Sequence, residues 1–382
     1  MYLIAFCYLL FCVVNYDLRN LRFFKNFNYI MVSLLLLAIV TFRYRVGGDA
    51  LTYEDTYPDM PVKFNEMVDY YSSANYRGLQ PFWLLLVSLC KQVTDSIVFF
   101  QFVHGFIFVS SITYFFHQYS KYKFTLLLIL CTSLLFFYYG YEIQRETLAI
   151  AVFLFNIKNL EEKKWAKYYF LCVISFLFHI SGLILFFLPL FNFIKLNKKL
   201  VYIMLILSLA LLVLKSYIFD VVKIFLFSES MQTKGDIYAQ GSFSTIGFLA
   251  FYTVRVFLFL PIGIIFAKNK SNLKYKWFYS SFLFLSIIAQ YFVGFDRFLN
   301  YLYPIYFVLL VDFMYSIELR NTMKKKIVLT LAFLHIFFII DYKLFLVNKY
   351  GQRYASLFFP YNSIETPYKN EERELYYDSI WE

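Results

Sequence analysis

Long apolar segments, separated by short polar linkers, recur along almost the whole chain. A mostly apolar helix of about 20 residues can cross a bilayer, because it satisfies its own backbone hydrogen bonds there. About twelve segments fit this pattern: 2–14, 28–42, 96–116, 122–139, 141–158, 167–178, 180–193, 200–217, 248–267, 277–294, 298–316 and 327–346. The sixth and seventh also fit one long helix. The pattern predicts an all-α, polytopic integral membrane protein.

The basic residues are concentrated in alternate linkers. The linkers 15–27, 117–123, 158–167, 194–199, 268–276 and 317–326 hold 20 of the 36 Lys and Arg residues in about 55 positions. The remaining polar segments hold 13 in about 130 positions, and they are 43–95, 140–145, 217–247, 294–297 and 347–382. Lys-rich and Arg-rich loops stay on the cytoplasmic side of a membrane. The first set is therefore predicted to be cytoplasmic and the second set to be on the outer side.

This charge pattern predicts a single transmembrane domain over residues 1–382, with both termini outside. The largest outer segments are the loops 43–95 and 217–247 and the C-terminal tail 347–382. Within the first loop, the apolar stretch 80–93 is too short to span comfortably. It predicts an interfacial or re-entrant helix.

The composition argues against several classes of function. The five cysteines show no CxxC spacing, so a disulfide framework or a zinc site is not expected. The chain has no P-loop, GxSxG, HExxH or dinucleotide fingerprint. The net charge of +11 is spread over separate linkers, and we do not expect nucleic-acid binding. No constellation of metal ligands is visible, so we expect neither a metal nor a cofactor.

A group of charged residues and glycines follows the second apolar segment at its predicted outer end. Arg43 and Arg45 can hold an anion through bidentate hydrogen bonds. Gly47 and Gly48 allow a sharp turn that brings backbone N–H groups close to a ligand. Asp49 can orient an arginine or accept a proton. The same pattern is also typical of a helix anchor, in which snorkelling arginines lie beside a glycine turn.

Two further polar groups fall at predicted outer helix ends. Glu142, Gln144 and Arg145 occupy a very short linker. Glu142 and Arg145 can pair with each other on a helix, or they can face a shared cavity on a substrate path. His179 and Ser181 interrupt an apolar stretch and predict a break between two short spans. A lone histidine is more often a packing residue, but its predicted outer location favours a role in a site.

The last group contains Asp296, Arg297 and Arg255. Asp296 and Arg297 mark an outer helix junction, and they need not pair because adjacent residues on a helix point about 100° apart. Arg255 lies inside the ninth segment, with no acid within one helical turn. A charge at that depth is costly and predicts a functional residue. Its counter-ion is either an acid of another helix or a phosphate of the substrate.

These motifs follow one another in a characteristic order along nearly the whole chain. The Arg-rich turn ending in Asp49, the Glu-x-Gln-Arg stretch, the His-x-Ser break, the Asp-Arg-Phe junction and the Phe-Pro-Tyr-Asn-Ser stretch at 359–363 are its elements. Together they resemble the EpsG-like family of bacterial polysaccharide polymerases, which is related to Wzy-type O-antigen polymerases. The chain departs from the family at Ala50-Leu51, where members often carry an aromatic residue, and at residues 76–78, where many carry an acid.

The resemblance implies a metal-independent membrane glycosyltransferase of the GT-C kind in the bacterial inner membrane. Its substrate would be an undecaprenyl-pyrophosphate-linked oligosaccharide, joined into O-antigen or a similar polymer on the outer face. Membrane lipid and a chain-length regulator protein are the implied partners. Such chemistry needs cations beside the leaving pyrophosphate and a base for the attacking sugar hydroxyl. The predicted substrate-binding residues are Arg43, Arg45, Gly47, Gly48, Gln144, Arg145, Arg255 and Arg297. The predicted bases, which the sequence does not rank, are Asp49, Glu142, His179 and Asp296.

Two other classes of function stay open. A lipid-linked oligosaccharide flippase or transporter usually has a polar site at mid-membrane and detectable internal repeats. The chain shows no convincing repeat, and its polar residues lie toward the outer face. An O-antigen ligase, or another membrane transferase acting on sugars, shares the donor chemistry of a polymerase. Charge arguments therefore do not distinguish such a transferase from a polymerase.

Overall fold

The computed structural model describes residues 1–72, 79–194, 197, 199–206, 245–268, 275–289, 295–316, 323–348 and 350–381. Within these ranges the chain is helical, and its extended pairings are two isolated bridges, Arg43 with Ser363 and Val347 with Arg353. The prediction of an all-α protein is confirmed. The predicted segment 200–217 is described only as far as residue 206, and the predicted loop 217–247 lies almost entirely outside the described residues.

The chain divides into two compact units, Met1–Gly182 with Ile340–Glu382 (unit 1) and Leu183–Ile339 (unit 2). The first part of unit 1 contains the α-helices α1 Tyr2–Cys12, α2 Lys25–Thr41, α3 Gly48–Thr56, α4 Phe64–Ser72, α5 Pro81–Val93, α6 Ile97–Tyr119, α7 Lys123–Thr132, α8 Leu134–Phe137, α9 Gln144–Glu161 and α10 Trp165–Phe178. Its π-helical segments are Val13–Leu18 and Tyr138–Glu142. The single transmembrane domain stays a prediction.

The described part of unit 2 begins with 3₁₀ turns and continues with α-helices. Residues 199–206 are helical, and the further α-helices are α11 Thr245–Tyr252, α12 Phe259–Lys268, α13 Lys276–Ile288, α14 Arg297–Asn300, α15 Tyr303–Tyr315 and α16 Met323–Ile339. The π-helical segment Thr253–Phe257 joins α11 to α12. The chain then re-enters unit 1 through the 3₁₀ turns Asp341–Phe345 and Tyr354–Leu357 and ends in α17, Glu371–Trp381.

Helix breaks shorten many of the predicted spans. Among the described residues, two helical segments are long and apolar enough to cross a membrane, Ile97–Tyr119 and Leu249–Phe266. A third results if α7 and Leu134–Glu142, which meet at a bend of 80°, count as one span. Other apolar helices have 10–17 residues, and 17 residues rise only about 26 Å against a hydrocarbon core of about 30 Å. The count of twelve spans and the GT-C architecture stay predictions.

The predicted break at His179 is present. Helix α10 ends at Phe178, and His179 adopts an extended conformation with φ −156° and ψ 137°. The following residues form the 3₁₀ turns Ile180–Phe186 and Leu188–Phe193 instead of a second α-helix. Residues 167–193, predicted as two short spans or one long helix, thus form one α-helix followed by 3₁₀ turns.

Helices α2 and α6 form an antiparallel pair that orients unit 1. The Tyr29 hydroxyl donates to the Thr113 carbonyl near the start of α2 (2.6 Å), and Gly105 lies against Val40 near its end. Glycine permits such close helix contact because it has no side chain. This packing brings the ends of α2 and α6 that border the basic linkers together. The end of α2 that borders the Arg-rich motif and the start of α6 lie at the opposite end of the pair.

Helix α5, Pro81–Val93, corresponds to the helix predicted over 80–93. Its Trp83 is fully buried against Tyr53 and Phe100. The Lys91 ammonium donates to the carbonyls of Tyr57, Pro58 and Met60, at 3.2, 3.0 and 2.7 Å. These bonds satisfy carbonyl groups where the 3₁₀ turn after α3 ends. Helix α5 is thus part of the core that supports α3, and its interfacial or re-entrant placement stays a prediction.

Candidate functional site

The carboxylate of Glu142 connects the π-helical segment Tyr138–Glu142 to the start of α3. It accepts hydrogen bonds from the backbone N–H groups of Gly48 and Asp49, the second at 3.1 Å. The first N–H groups of a helix have no partner within the helix, and the helix dipole favours a negative charge beside them. Glu142 therefore holds the N-terminus of α3 in place. Its carboxylate is directed at α3 and not at Arg145, whose guanidinium bonds to other residues.

The two glycines make this approach of Glu142 sterically possible. Gly47 has φ +105°, and a Cβ there would lie 2.7 Å from the Cβ of Tyr141. A Cβ on Gly48 would lie 3.0 Å from a carboxylate oxygen of Glu142. The Gly47 N–H donates to the Leu357 carbonyl at 2.8 Å. Both glycine N–H groups are thus directed at protein acceptors in the structure, and their contact with a ligand stays a prediction.

Arg43 is buried, with 1% of its surface exposed. Its guanidinium donates to the carbonyl of Val40 and lies 4.9 Å from the ring centroid of Tyr141. Burial lowers the pKa of Arg43, while the nearby Glu54 carboxylate acts in the opposite direction. Arg43 is therefore placed to act as a buried positive charge that orients Val40 and Tyr141.

Arg45 links the motif to the C-terminal helix α17. Its Nε and Nη2 donate to the two carboxylate oxygens of Glu374, each at 2.6 Å, and its Nη1 donates to Asp55 at 2.6 Å. The hydrogen bonds to Glu374 raise the pKa of Arg45. The bidentate geometry predicted for an anion is therefore present in the structure, with a protein carboxylate as the anion.

Arg373 completes the contact between the motif and the C-terminal segment. It is fully buried, and it donates to the carbonyls of Ser356 (3.1 Å), Arg45 (2.7 Å) and Pro360 (2.6 Å). The sequence analysis missed this residue, because an arginine in an acidic helix is usually a surface residue. Its three donors join the Arg-rich turn to the late Phe-Pro-Tyr-Asn-Ser stretch.

Arg145 is partly exposed, whereas Arg43 and Arg373 are buried and Arg45, which is also partly exposed, is paired with two carboxylates. Its Nε donates to the Tyr53 hydroxyl at 3.0 Å, and its Nη1 donates to the Gln80 side-chain oxygen at 3.1 Å. Both partners are neutral, so they orient the guanidinium without neutralising it. The neighbouring Gln144 is buried, and its amide donates to the Tyr141 carbonyl at 3.3 Å. Among Arg43, Arg45, Arg145 and Arg373, Arg145 is therefore the one best placed to meet an anion.

Glu54 is a titratable residue of this region that the sequence analysis missed. Its carboxylate accepts hydrogen bonds from the Arg45 backbone N–H (3.2 Å) and the Gln101 amide (3.2 Å). Burial raises the pKa of Glu54 to about 7, although Arg43 and Arg45 lower it. Its position in α3 is informative. Glu54 follows Ala50 by one helical turn, and Ala50 is buried, so this acid lies on the apolar face of α3. A carboxylate that titrates near neutral pH can exchange protons with a substrate.

The raised pKa of Glu54 predicts a pH dependence of stability. A folded-state pKa of about 7, above the ordinary value of 4.5 for a glutamate, means that the folded protein binds the proton more tightly than the unfolded chain. Stability from this group is therefore fully present below about pH 4.5 and is lost as the pH rises toward 7. We expect Glu54→Gln to flatten the fall in unfolding temperature between pH 5 and 7.5, measured in detergent by scanning fluorimetry. The control Glu66→Gln should leave the slope unchanged, because hydrogen bonds lower the pKa of Glu66 out of that window. Equal slopes for wild type and Glu54→Gln would contradict the assignment.

His179 and Ser181 form a buried polar pair at the helix break. The His179 Nδ1 lies 2.7 Å from the Ser181 hydroxyl and accepts the Ser181 backbone N–H at 3.2 Å. It also lies 4.0 Å from the carboxylate of Glu146, in the first turn of α9. This arrangement terminates α10 locally and fixes the orientation of the imidazole. A catalytic role for His179 stays a prediction.

In unit 2, Arg255 lies in the π-helical segment Thr253–Phe257. Its Nη2 lies 3.8 Å from the carboxylate of Asp296, and its Nη1 donates to the Ala289 carbonyl at 3.3 Å. Of the two counter-ions that the sequence allows, the structure thus contains the protein acid. Arg297, the first residue of α14, follows Asp296 directly and is partly buried. Glu142 and Arg255 both lie in π-helical segments, which are frequent at functional sites.

The pairing of Arg255 with Asp296 leads to a prediction about stability. Arg255→Lys should retain most of the protein level because it keeps the charge, and Arg255→Ala should reduce the amount of folded protein. Fluorescence-detected size exclusion measures the amount of folded protein. Equal amounts of folded protein from wild type and Arg255→Ala would contradict a stabilising role for this pair.

Substituting the capping carboxylate should mainly affect stability. Glu142→Gln keeps the shape but removes the charge that faces the N-terminus of α3, and caps of this kind contribute about 1–2 kcal/mol. We expect a lower unfolding temperature. Glu365→Gln, at an exposed position of the C-terminal segment, is the control. An unchanged unfolding temperature in Glu142→Gln would show that the cap does not stabilise α3.

Comparison with known proteins supports the resemblance. A sequence model of the EpsG family matches residues 26–363. The chain therefore belongs to the EpsG family, and this membership together with its apolar helices indicates a membrane protein of polysaccharide biosynthesis. No curated protein matches the chain, and no solved structure does. Among the described residues, no three His, Cys, Asp or Glu side chains are grouped to hold a metal ion.

Proposed function

We propose that the protein polymerises undecaprenyl-pyrophosphate-linked oligosaccharide repeats into a surface polysaccharide on the outer face of the bacterial inner membrane. Membership of the EpsG family carries this proposal. The geometry of unit 1 supports it, because the Arg-rich motif, α3, Glu142 and Arg145 lie at one end, away from the basic linkers. Membrane lipid and a chain-length regulator are the proposed partners.

The proposed reaction is a glycosyl transfer. A hydroxyl oxygen of the acceptor sugar forms a bond to the anomeric carbon of the donor, and the bond from that carbon to the pyrophosphate oxygen breaks. The hydroxyl proton passes to a base, and undecaprenyl pyrophosphate leaves with the bonding electrons. The oxocarbenium-like transition state is an analogy with glycosidases. The reaction needs a fixed cation near the leaving group and an accessible base.

The residues of unit 1 divide into two proposed roles. Arg145 binds the pyrophosphate, because it is partly exposed and its partners Tyr53 and Gln80 are neutral. Asp49 is the proposed base, because its side chain is exposed at the first turn of α3 while its backbone N–H is held by Glu142. Arg43 and Arg45 are proposed as positioning residues, since their guanidinium groups contact protein acceptors. Glu54 is the alternative base.

Other predicted residues keep secondary proposed roles. Gly47, Gly48 and Glu142 are proposed to position Asp49, and Gln144 is proposed to fix the start of α9 beside Arg145. His179 stays a proposed proton acceptor. In unit 2, Arg297 is proposed to contact substrate, and Arg255 and Asp296 are proposed to stabilise each other.

The ladder of surface polysaccharide from a deletion strain tests the function. A single repeat attached to its lipid carrier or core indicates that polymerisation is lost, and this is the expected result. Absence of any repeat on the cell surface would favour a flippase or ligase, and an unchanged ladder would reject all three functions. Complementation with wild type and with Asp49→Asn, compared at equal protein level, then tests the proposed base.

A further inference from the structure

A groove lies between α2 and α6, at the end of unit 1 opposite the proposed site. Its volume is about 520 Å³, and it is lined from Asn26 to Leu37 on α2 and from Phe106 to His117 on α6. The ends of each stretch are eleven positions apart, a rise of about 16 Å, which is close to the depth of one leaflet of a bilayer with a core of about 30 Å. The groove is therefore long enough to hold much of an acyl chain.

The wall and the rim of the groove are apolar. Ile30, Leu34 and Phe106 line it and are each more than half exposed. In a membrane protein, exposed apolar side chains on adjacent helices face lipid. The groove consequently opens sideways toward the acyl chains of the bilayer.

The other end of the groove is polar and positively charged. The Lys123 ammonium lies 2.8 Å from Nδ1 of His117, 3.5 Å from the Asn26 side-chain oxygen and 4.1 Å from the ring centroid of Tyr29. Lys123 is 5% exposed, and these partners are neutral when the imidazole is neutral. Asp17, an acid nearby, accepts two hydrogen bonds from Thr125, at 2.7 and 3.0 Å, and lies 4.0 Å from Lys25. A buried cation with neutral partners at the end of an apolar groove matches the shape and charge of an anionic lipid.

We propose that this groove binds one anionic phospholipid of the leaflet on the side of the basic linkers, which the charge pattern predicts to be cytoplasmic. The headgroup phosphate lies at Lys123, with the Asn26 amide and the His117 imidazole beside it. One acyl chain lies between α2 and α6 along Ile30 and Leu34. The lipid would then hold α2 and α6 together. The other end of this helix pair lies beside Arg43 and contains Gln101. This site is separate from the proposed active site and does not depend on the proposed function.

Native mass spectrometry of the detergent-purified full-length protein tests the proposal. The probes are phosphatidylglycerol and phosphatidylcholine with identical chains, and inorganic phosphate. We expect one phosphatidylglycerol to be retained in preference to phosphatidylcholine. Lys123→Gln should weaken its retention about tenfold, the effect of losing one charge-assisted hydrogen bond. Lys121→Gln is the matched control, because Lys121 is an exposed lysine two residues away and does not line the groove.

A second variant tests the acyl chain independently of the charge. Ser110 lines the middle of the groove, and Ser110→Phe should fill it and release the lipid while Lys123 remains. Lys123→Arg should keep the charge and the lipid. If Lys123→Gln does not give folded protein, Ser110→Phe still tests whether the groove binds the lipid. Wild-type retention in Ser110→Phe, equal binding of phosphatidylcholine, or displacement of the lipid by inorganic phosphate alone would each overturn the proposal.

Discussion

Replacing Arg145 with glutamine is expected to reduce polymer formation about ten- to a hundredfold while the protein level stays normal. The range corresponds to the loss of a charge-assisted hydrogen bond of about 1.5–3 kcal/mol to the leaving pyrophosphate. Arg145→Lys should also be impaired, because the ammonium group cannot donate to Tyr53 and Gln80 and to a phosphate in the same planar geometry. Quantifying chain length on the surface-polysaccharide ladder measures the effect.

Two controls make this result specific. Arg353→Gln removes a charge from an exposed arginine of the C-terminal segment and should leave the polymer unchanged. Arg45→Lys should lower the unfolding temperature, because it breaks the bidentate contact with Glu374. Wild-type polymer from Arg145→Gln at normal protein level would remove Arg145 from the proposed site.

Replacing Gly47 with alanine is expected to cause the largest loss of folded protein. The residue has φ +105° and ψ 156°, a conformation that is essentially restricted to glycine and costs other residues about 1–3 kcal/mol. The added Cβ would in addition lie 2.7 Å from the Cβ of Tyr141 and 3.0 Å from a carboxylate oxygen of Glu142. The contact of Glu142 with the start of α3 should then be displaced. Protein yield, unfolding temperature and polymer should all fall.

Gly351 provides a matched control for this substitution. It also has a positive φ, of +84°, but nothing lies within 4 Å of the position that its Cβ would take. Gly351→Ala should therefore show the backbone cost alone. A larger fall in unfolding temperature for Gly47→Ala than for Gly351→Ala is expected from the contact with Tyr141 and Glu142 together with the different backbone conformations of the two glycines. Equal shifts would show that the close approach of Glu142 to the glycine turn contributes nothing.

Features that depend on local sequence could be predicted well. The break at His179 and the helix over 80–93 followed from a polar interruption and from a short apolar stretch. The all-α class followed from apolar segments of helical length. The family followed from the order of the motifs. Each of these inferences uses residues that are close together in the chain, or the order of such groups.

Features that depend on distant contacts could not be predicted. Arg45 and Glu374 are 329 residues apart, and nothing in either segment identifies the other as its partner. Arg45 therefore looked like a ligand for an external anion. The role of Glu142 as a cap for α3 was hidden for the same reason, because it joins segments 94 residues apart. Helix breaks such as the π-helical segment Tyr138–Glu142 are also set by packing, so apolar segments overstated the length of regular spans.

The central claim is tested most directly by reconstitution of the purified protein with lipid-linked repeat units. We predict that wild type converts single repeats into a ladder of longer glycans and releases undecaprenyl pyrophosphate for each bond formed. Asp49→Asn and Arg145→Gln, at equal protein level, should form no ladder or a much weaker one. Failure of the folded wild-type protein to extend the repeats, or equal ladders from wild type and both variants, would contradict the proposed polymerase or its site.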